Sequence, residues 1–67
     1  MVRSLTRIEQ QCSQILRMDH THALIQLKKL ICTYLLYNDK EALEHIKKHV
    51  GDGLYAYAIN EIKELLV

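Results

Sequence analysis

The sequence predicts an all-α fold, a small bundle of four helices. Hydrophobic residues make up 49% of the 67 residues, with no proline and only two glycines, which favours helices and argues against disorder. Apolar residues recur at spacings of three and four along most of the chain, the period of amphipathic helices. A chain of this length forms one domain, residues 1–67, and has a thin margin of stability.

The first helix is predicted to begin near Ser4 or Thr6. Thr6 and Glu9 fit a capping box, in which the threonine hydroxyl accepts from a first-turn amide and the carboxylate reaches back. Ser4 is the alternative cap. The apolar stripe of this helix is narrow and consists of Leu5, Ile8, Cys12, Ile15 and Leu16.

A break is predicted at residues 19–22, Asp-His-Thr-His, because all four are weak helix formers. Asp19 or Thr21 would cap the helix that follows. No glycine or proline enforces the break, so a single helix from Ser4 to Tyr37 is the alternative. Such a rod would bury its apolar surface only against another chain.

The second helix is predicted from the run 23–37, the most apolar stretch of the chain. One broad stripe contains Leu24, Leu27, Leu30, Ile31, Tyr34 and Leu35. Ile25, Cys32 and Leu36 continue it around a flank. A surface helix needs an apolar face of roughly 100°, and this helix has about twice that. We therefore expect neighbours on several sides, one of them from another molecule.

A third helix is predicted with Asn38 as its N-cap, Glu41 three residues on, and Tyr37 packed on Ala42 as a hydrophobic staple. Gly51 is expected just past its end. Its predicted inward residues are Ala42, Leu43, Ile46 and Val50, and its predicted outward residues are Lys40, Glu41, Glu44, His45 and Lys47.

The fourth helix is predicted to run from Leu54 to about Leu66, with Asp52 as its cap. Its predicted buried stripe is Leu54, Tyr55, Ala58, Ile59, Ile62, Leu65 and Leu66. Tyr57 falls outside that stripe, and an apolar ring on an outer face indicates an interface anchor. Lys28 of the second helix is the opposite case, a charge in an apolar sector, and is expected to lie at the edge of the core.

Charge and cysteine content restrict the class of protein. The formal net charge is +1, which gives no strong attraction to nucleic acid or anionic lipid. Cys12 and Cys32 lie on apolar helix faces, so both are expected to be reduced thiols. The beginning of the sequence lacks the apolar run of a secretory signal, and Lys28 and Lys29 interrupt the central run before it could span a bilayer. We expect a cytoplasmic protein.

The histidines are the strongest candidates for chemistry. His45 and His49 stand four apart, a spacing that directs two imidazoles to one metal ion, and His20 or His22 could complete the site. Between the pair lie Lys47 and Lys48 rather than the glutamate of a zinc hydrolase. We therefore predict no metal, no cofactor, no small-molecule substrate and no enzymatic activity.

The favoured function is a regulator or adaptor that acts through protein contacts and forms a homodimer. Its predicted interface comprises Ile25, Cys32, Leu36, Tyr57, Leu65, Leu66 and Val67. The alternative is a dimeric DNA-binding regulator whose basic surface comprises Arg3, Arg7, Arg17, Lys47 and Lys48. A recognition helix formed by the last helix would carry Glu61 and Glu64, whereas phosphate contacts usually need a clustered basic face.

Overall fold

The computed structural model describes the backbone of residues 5–66 and the side chains of residues 5–65. This part of the chain forms four α-helices and no strands. They are α1 Leu5–Arg17, α2 His20–Leu36, α3 Lys40–Val50 and α4 Asp52–Leu66. The predicted fold class and the predicted number of helices are confirmed.

The helices pack in a rhombus in which α2 and α3 each contact all three others. Among the described residues, α1 and α4 do not meet, and the most extensive contact joins α1 to α3. The Cα atoms extend over 30 × 28 × 17 Å. The short dimension corresponds to two layers of helices spaced by about 8–10 Å, so every helix keeps an outer face.

All four helices contribute to one core. Its buried residues are Ile8, Cys12, Ile15, Ala23, Leu27, Ile31, Ala42, Ile46, Val50, Ala58 and Ile62. They recur at spacings of three and four within each helix, as predicted. Two residues assigned to buried stripes are exposed instead, Leu16 at 52% and Leu65 at 78%. Both lie in the last turn of a helix, which the neighbouring helices leave uncovered.

The second helix is enclosed only in part. Only Ala23, Leu27 and Ile31 of α2 are buried, and Leu35 of the predicted stripe is 42% exposed. The helix contacts α1, α3 and α4, and, as expected, these three leave part of its apolar surface uncovered. In a two-layer arrangement, three short helices can cover only one side of it.

The junction between α1 and α2 is a true break. Asp19 holds the N-cap position in an extended conformation, with φ −63° and ψ 160°, so the continuous-helix alternative is wrong. The Asp19 carboxylate accepts from His22 Nδ1 at 2.6 Å, and this bond is the main cause of the lowered pKa of Asp19. Thr6 lies within α1 and Thr21 within α2, so neither is a cap, whereas Ser4 lies outside the described residues.

The cap of α3 is Asp39, not Asn38 as predicted. Asn38 has a positive φ of 54°, the left-handed conformation in which a residue just beyond a helix often ends it. Asn38 therefore lies just past Tyr37, the C-cap of α2, and the N-cap of α3 is the next residue. Asp39 Oδ1 accepts from the Ala42 amide at 3.2 Å.

Gly51 ends α3 as predicted, with a φ of 97° that favours glycine. The fourth helix begins at Asp52, two residues earlier than expected. Asp52 is therefore a first-turn residue, where its negative charge lies near the positive end of the helix dipole.

Replacing Asp39 with alanine should lower the free energy of unfolding by about 1 kcal/mol, because the Ala42 amide loses its acceptor. Urea denaturation measures the change. Asp39→Asn is the matched control, since the side-chain oxygen of asparagine can still accept from the Ala42 amide, and its effect should be smaller. Equal losses in the two variants would contradict the assignment of Asp39 as the cap.

Candidate functional site

The outer face of α2 carries apolar residues. Ile25, Cys32 and Leu36 are separated by seven and four residues, which places them on one side of the helix, opposite the buried Leu27. Ile25 is 42% exposed and Leu36 is 87% exposed, whereas Cys32 is half-buried. Lys29 shares this face and is exposed. The face is therefore mainly apolar, with the charge of Lys29 at one edge.

The C-terminal end of α2 adds two neighbours to Leu36. Leu35 and Tyr37 are 42% and 61% exposed, so three consecutive apolar side chains contact solvent. Single exposed apolar residues are common on protein surfaces, whereas three at one helix end are typical of an interaction site.

The end of α4 presents a further exposed apolar residue. Leu65 follows Ala58 and Ile62 along the core-facing side of the helix, yet it is 78% exposed while those two are buried. The last turn of α4 therefore extends beyond its neighbours. The other two predicted interface residues here cannot be placed, because the Leu66 side chain and all of Val67 lie outside the described residues.

Tyr57 belongs to a polar contact between α2 and α4. Lys28 Nζ donates to Glu61 Oε1 at 3.0 Å, and the nearby Tyr57 hydroxyl helps to lower the pKa of the same carboxylate. The bond from Lys28 is the main reason that the pKa of Glu61 is lowered. Lys28 lies half-buried at the core edge, as expected, but the sequence pattern did not identify Glu61 as its partner. The ring of Tyr57 remains 51% exposed.

A second polar contact joins α1 to α3 through two histidines. His45 Nε2 lies 3.0 Å from Glu9 Oε1, and His49 Nε2 lies 3.7 Å from the same oxygen. The two imidazole centroids are 4.6 Å apart. His45 was expected to point into solvent, but its side chain is only 23% exposed because it packs at the seam between the helices.

Among the described residues, Glu9, His45 and His49 form the one group of three or more potential ligands close enough to share a metal ion. His20 and His22 are exposed on α2 and do not join it. Glu9 was predicted only as part of a capping box. The position of Glu9 opposite the histidines depends on how α1 packs against α3, and no local pattern in the sequence indicates this packing.

Both cysteines are free thiols, as predicted. Cys12 is fully buried, and burial raises its pKa, with a smaller contribution from the negative charge of Glu9. A raised pKa disfavours the thiolate, so Cys12 is a poor nucleophile. Cys32 is half-buried on α2.

The basic residues do not form a uniformly positive face. Arg7, Arg17 and Lys48 are exposed on the packed helices α1 and α3, and Lys47 is half-buried. Glu9 lies at the seam between these helices, so the α1–α3 pair also carries a negative charge. Arg3 lies outside the described residues.

A groove between α1 and α2 has a volume of about 250 Å³, below the range of about 300–1,000 Å³ that is usual for small-molecule sites. Its lining is Gln11, Gln14, Ile15, Met18, Gln26, Lys29, Leu30 and Thr33. The mixture of amides and apolar side chains includes no pair of groups suited to acid–base chemistry.

No protein-family model matches this chain, and neither a curated protein nor a solved structure matches it significantly. Within the described residues, none of the four helices has the length and apolar character needed to cross a bilayer.

The contact between Lys28 and Glu61 should make stability depend on pH. Because folding lowers the pKa of Glu61, its contribution is present above the pKa of about 4.3 in the unfolded chain and is lost as the pH falls through the lower pKa of the folded state. Glu61→Gln should therefore reduce the free energy of unfolding more at pH 7 than at about pH 3, measured by denaturant titration. Glu64→Gln, an exposed position on the same helix, is the control. A loss from Glu61→Gln that is the same at both pH values would refute the contact.

Proposed function

We propose that this protein is a small non-enzymatic regulator or adaptor that acts through protein contacts and associates with a second copy of itself. The observation that carries the proposal is the exposure of Leu36, at 87%, between two other exposed apolar residues at the end of α2. Exposure of such a row to water is unfavourable, and a protein partner would remove the cost.

The size of the molecule sets how much surface a partner would cover. The accessible surface is 4922 Å². Stable interfaces bury at least about 600 Å² on each side, which is roughly one eighth of the surface of this chain. The outer face of α2 with the adjoining part of α4 is the apolar surface that best fits this need.

The proposed interface is continuous across α2 and α4. Lys28 lies beside Ile25 and Cys32 on α2, and its bond to Glu61 brings the Tyr57 side of α4 next to that face. In a two-fold dimer the same face meets itself. Lys29, exposed at one edge of this face, would then lie at the rim, close to solvent or to a carboxylate of the second copy.

We expect sedimentation equilibrium to show a reversible dimer at micromolar concentrations. Leu36→Glu should raise the dissociation constant at least tenfold, because it places a charge in the apolar contact. Leu16→Glu is the matched control, since Leu16 is also an exposed leucine near a helix end but lies on α1 outside the proposed interface. The proposal fails if the wild-type chain stays monomeric and its melting temperature does not depend on concentration.

A dimeric DNA-binding regulator is the alternative, and it would use Arg7, Arg17 and Lys48. The acidic residue at the α1–α3 seam weighs against it, because phosphate binding needs clustered positive charge. Titration of a fluorescent duplex at low salt tests it. We expect no binding that depends on these residues; tight binding that falls steeply with salt and weakens in Arg17→Ala would favour DNA instead.

A further inference from the structure

We propose that Glu9, His45 and His49 form a Zn²⁺ site that joins α1 to α3. Two imidazoles and one carboxylate are a known ligand set for zinc, with water in the fourth position. Ca²⁺ and Mg²⁺ prefer sites made entirely of oxygen. The site is independent of the proposed dimer interface, which lies on α2 and α4.

The distances suit one ion. Each of the three residues offers one ligand atom, and these atoms lie within 4.8 Å of one another. Bonds of about 2.0–2.1 Å in a tetrahedron place ligand atoms about 3.4 Å apart. The separations between Glu9 Oε1 and the two Nε2 atoms, 3.0 and 3.7 Å, fall on either side of that value.

The orientation of His49 provides a separate argument. His49 Nδ1 lies 3.1 Å from the carbonyl oxygen of His45, and a carbonyl can only accept, so Nδ1 carries a proton. In the neutral ring, Nε2 then presents a lone pair toward the carboxylate of Glu9. A metal ion between the two would bond to both, and a backbone carbonyl that fixes the other ring nitrogen is typical of metal-bound histidine.

The surroundings also favour a cation. His49 lies in the last turn of α3 and His45 one turn before it, near the negative end of the helix dipole. Lys47 is about 160° around the helix from both histidines, so it points to another side of α3. Lys48 is closer in direction to His45, but it is exposed, where solvent screens its charge.

Partial exposure leaves room for the fourth ligand. The side chains of His45, His49 and Glu9 are 23%, 35% and 44% exposed, so a water molecule can reach an ion held between them. His45 Nε2 now donates to Glu9, and coordination through that nitrogen requires its proton to move to Nδ1 or to solvent. Zinc binding would therefore replace the hydrogen bond between His45 and Glu9 with three metal–ligand bonds, one to α1 and two to α3.

Isothermal titration of the chelator-treated protein with ZnCl₂ tests the site. We expect one ion per chain and a melting temperature that rises with zinc concentration, because the ion binds the folded state. Glu9→Gln and His49→Gln should each weaken binding at least tenfold, since each removes a ligand. His22→Gln, which alters an exposed histidine outside the cluster, is the matched control and should bind like the wild type.

Histidine ring signals in the NMR spectrum of the wild-type chain identify the ligands without any variant. Zinc should shift the signals of His45 and His49 and leave those of His20 and His22 in place. The proposal is overturned by an absence of zinc binding at hundred-micromolar concentrations, by shifts confined to His20 and His22, by one ion shared between two chains, or by Glu9→Gln and His49→Gln proteins that are folded by circular dichroism and bind like the wild type.

Discussion

The two-layer packing of four short helices is the constraint on which the other features depend. With α2 and α3 in mutual contact and α1 and α4 on opposite sides of them, each helix buries one stripe and leaves the other side in solvent. The chain can therefore bury only small or central side chains such as Ala42, Ala58, Leu27 and Ile31 completely. The exposed face of α2 follows from this geometry, because residues 5–66 form no third layer to cover it.

Two polar contacts at the edges of the layers connect helices that are not neighbours in sequence. Lys28 reaches Glu61 between α2 and α4, and Glu9 reaches His45 between α1 and α3. Each lies next to the apolar core and is partly exposed, so its net contribution to stability is small. Their main effect is on the positions of the helices. The contact between Lys28 and Glu61 aligns α2 and α4, which carry the proposed dimer face, and the contact between Glu9 and His45 brings three potential ligands together.

Local patterns in the sequence predicted the elements of the fold better than their boundaries. The spacings of apolar residues predicted four helices, and the weak helix formers at 19–22 predicted the break between the first two. The cap at Asn38 was wrong because a left-handed backbone at that residue moved the helix start by one position, which composition alone does not reveal. The site depended on packing: His45 and His49 were evident from their spacing, whereas Glu9 stands 36 residues from His45 and no local pattern joins them.

The lack of contact between the first and last helices has a consequence for how the molecule opens. Among the described residues, α1 and α4 make no contact with each other, and both pack against α2 and α3. Detachment of α4 would therefore expose the surfaces of α2 and α3 that it covers, without breaking the contact between Glu9 and the histidines. The α1–α3 pair, the most extensive contact, would persist as a partly folded unit. Local unfolding of α4 would then enlarge the exposed apolar surface of α2, while the packing of α1 against α3 stayed intact.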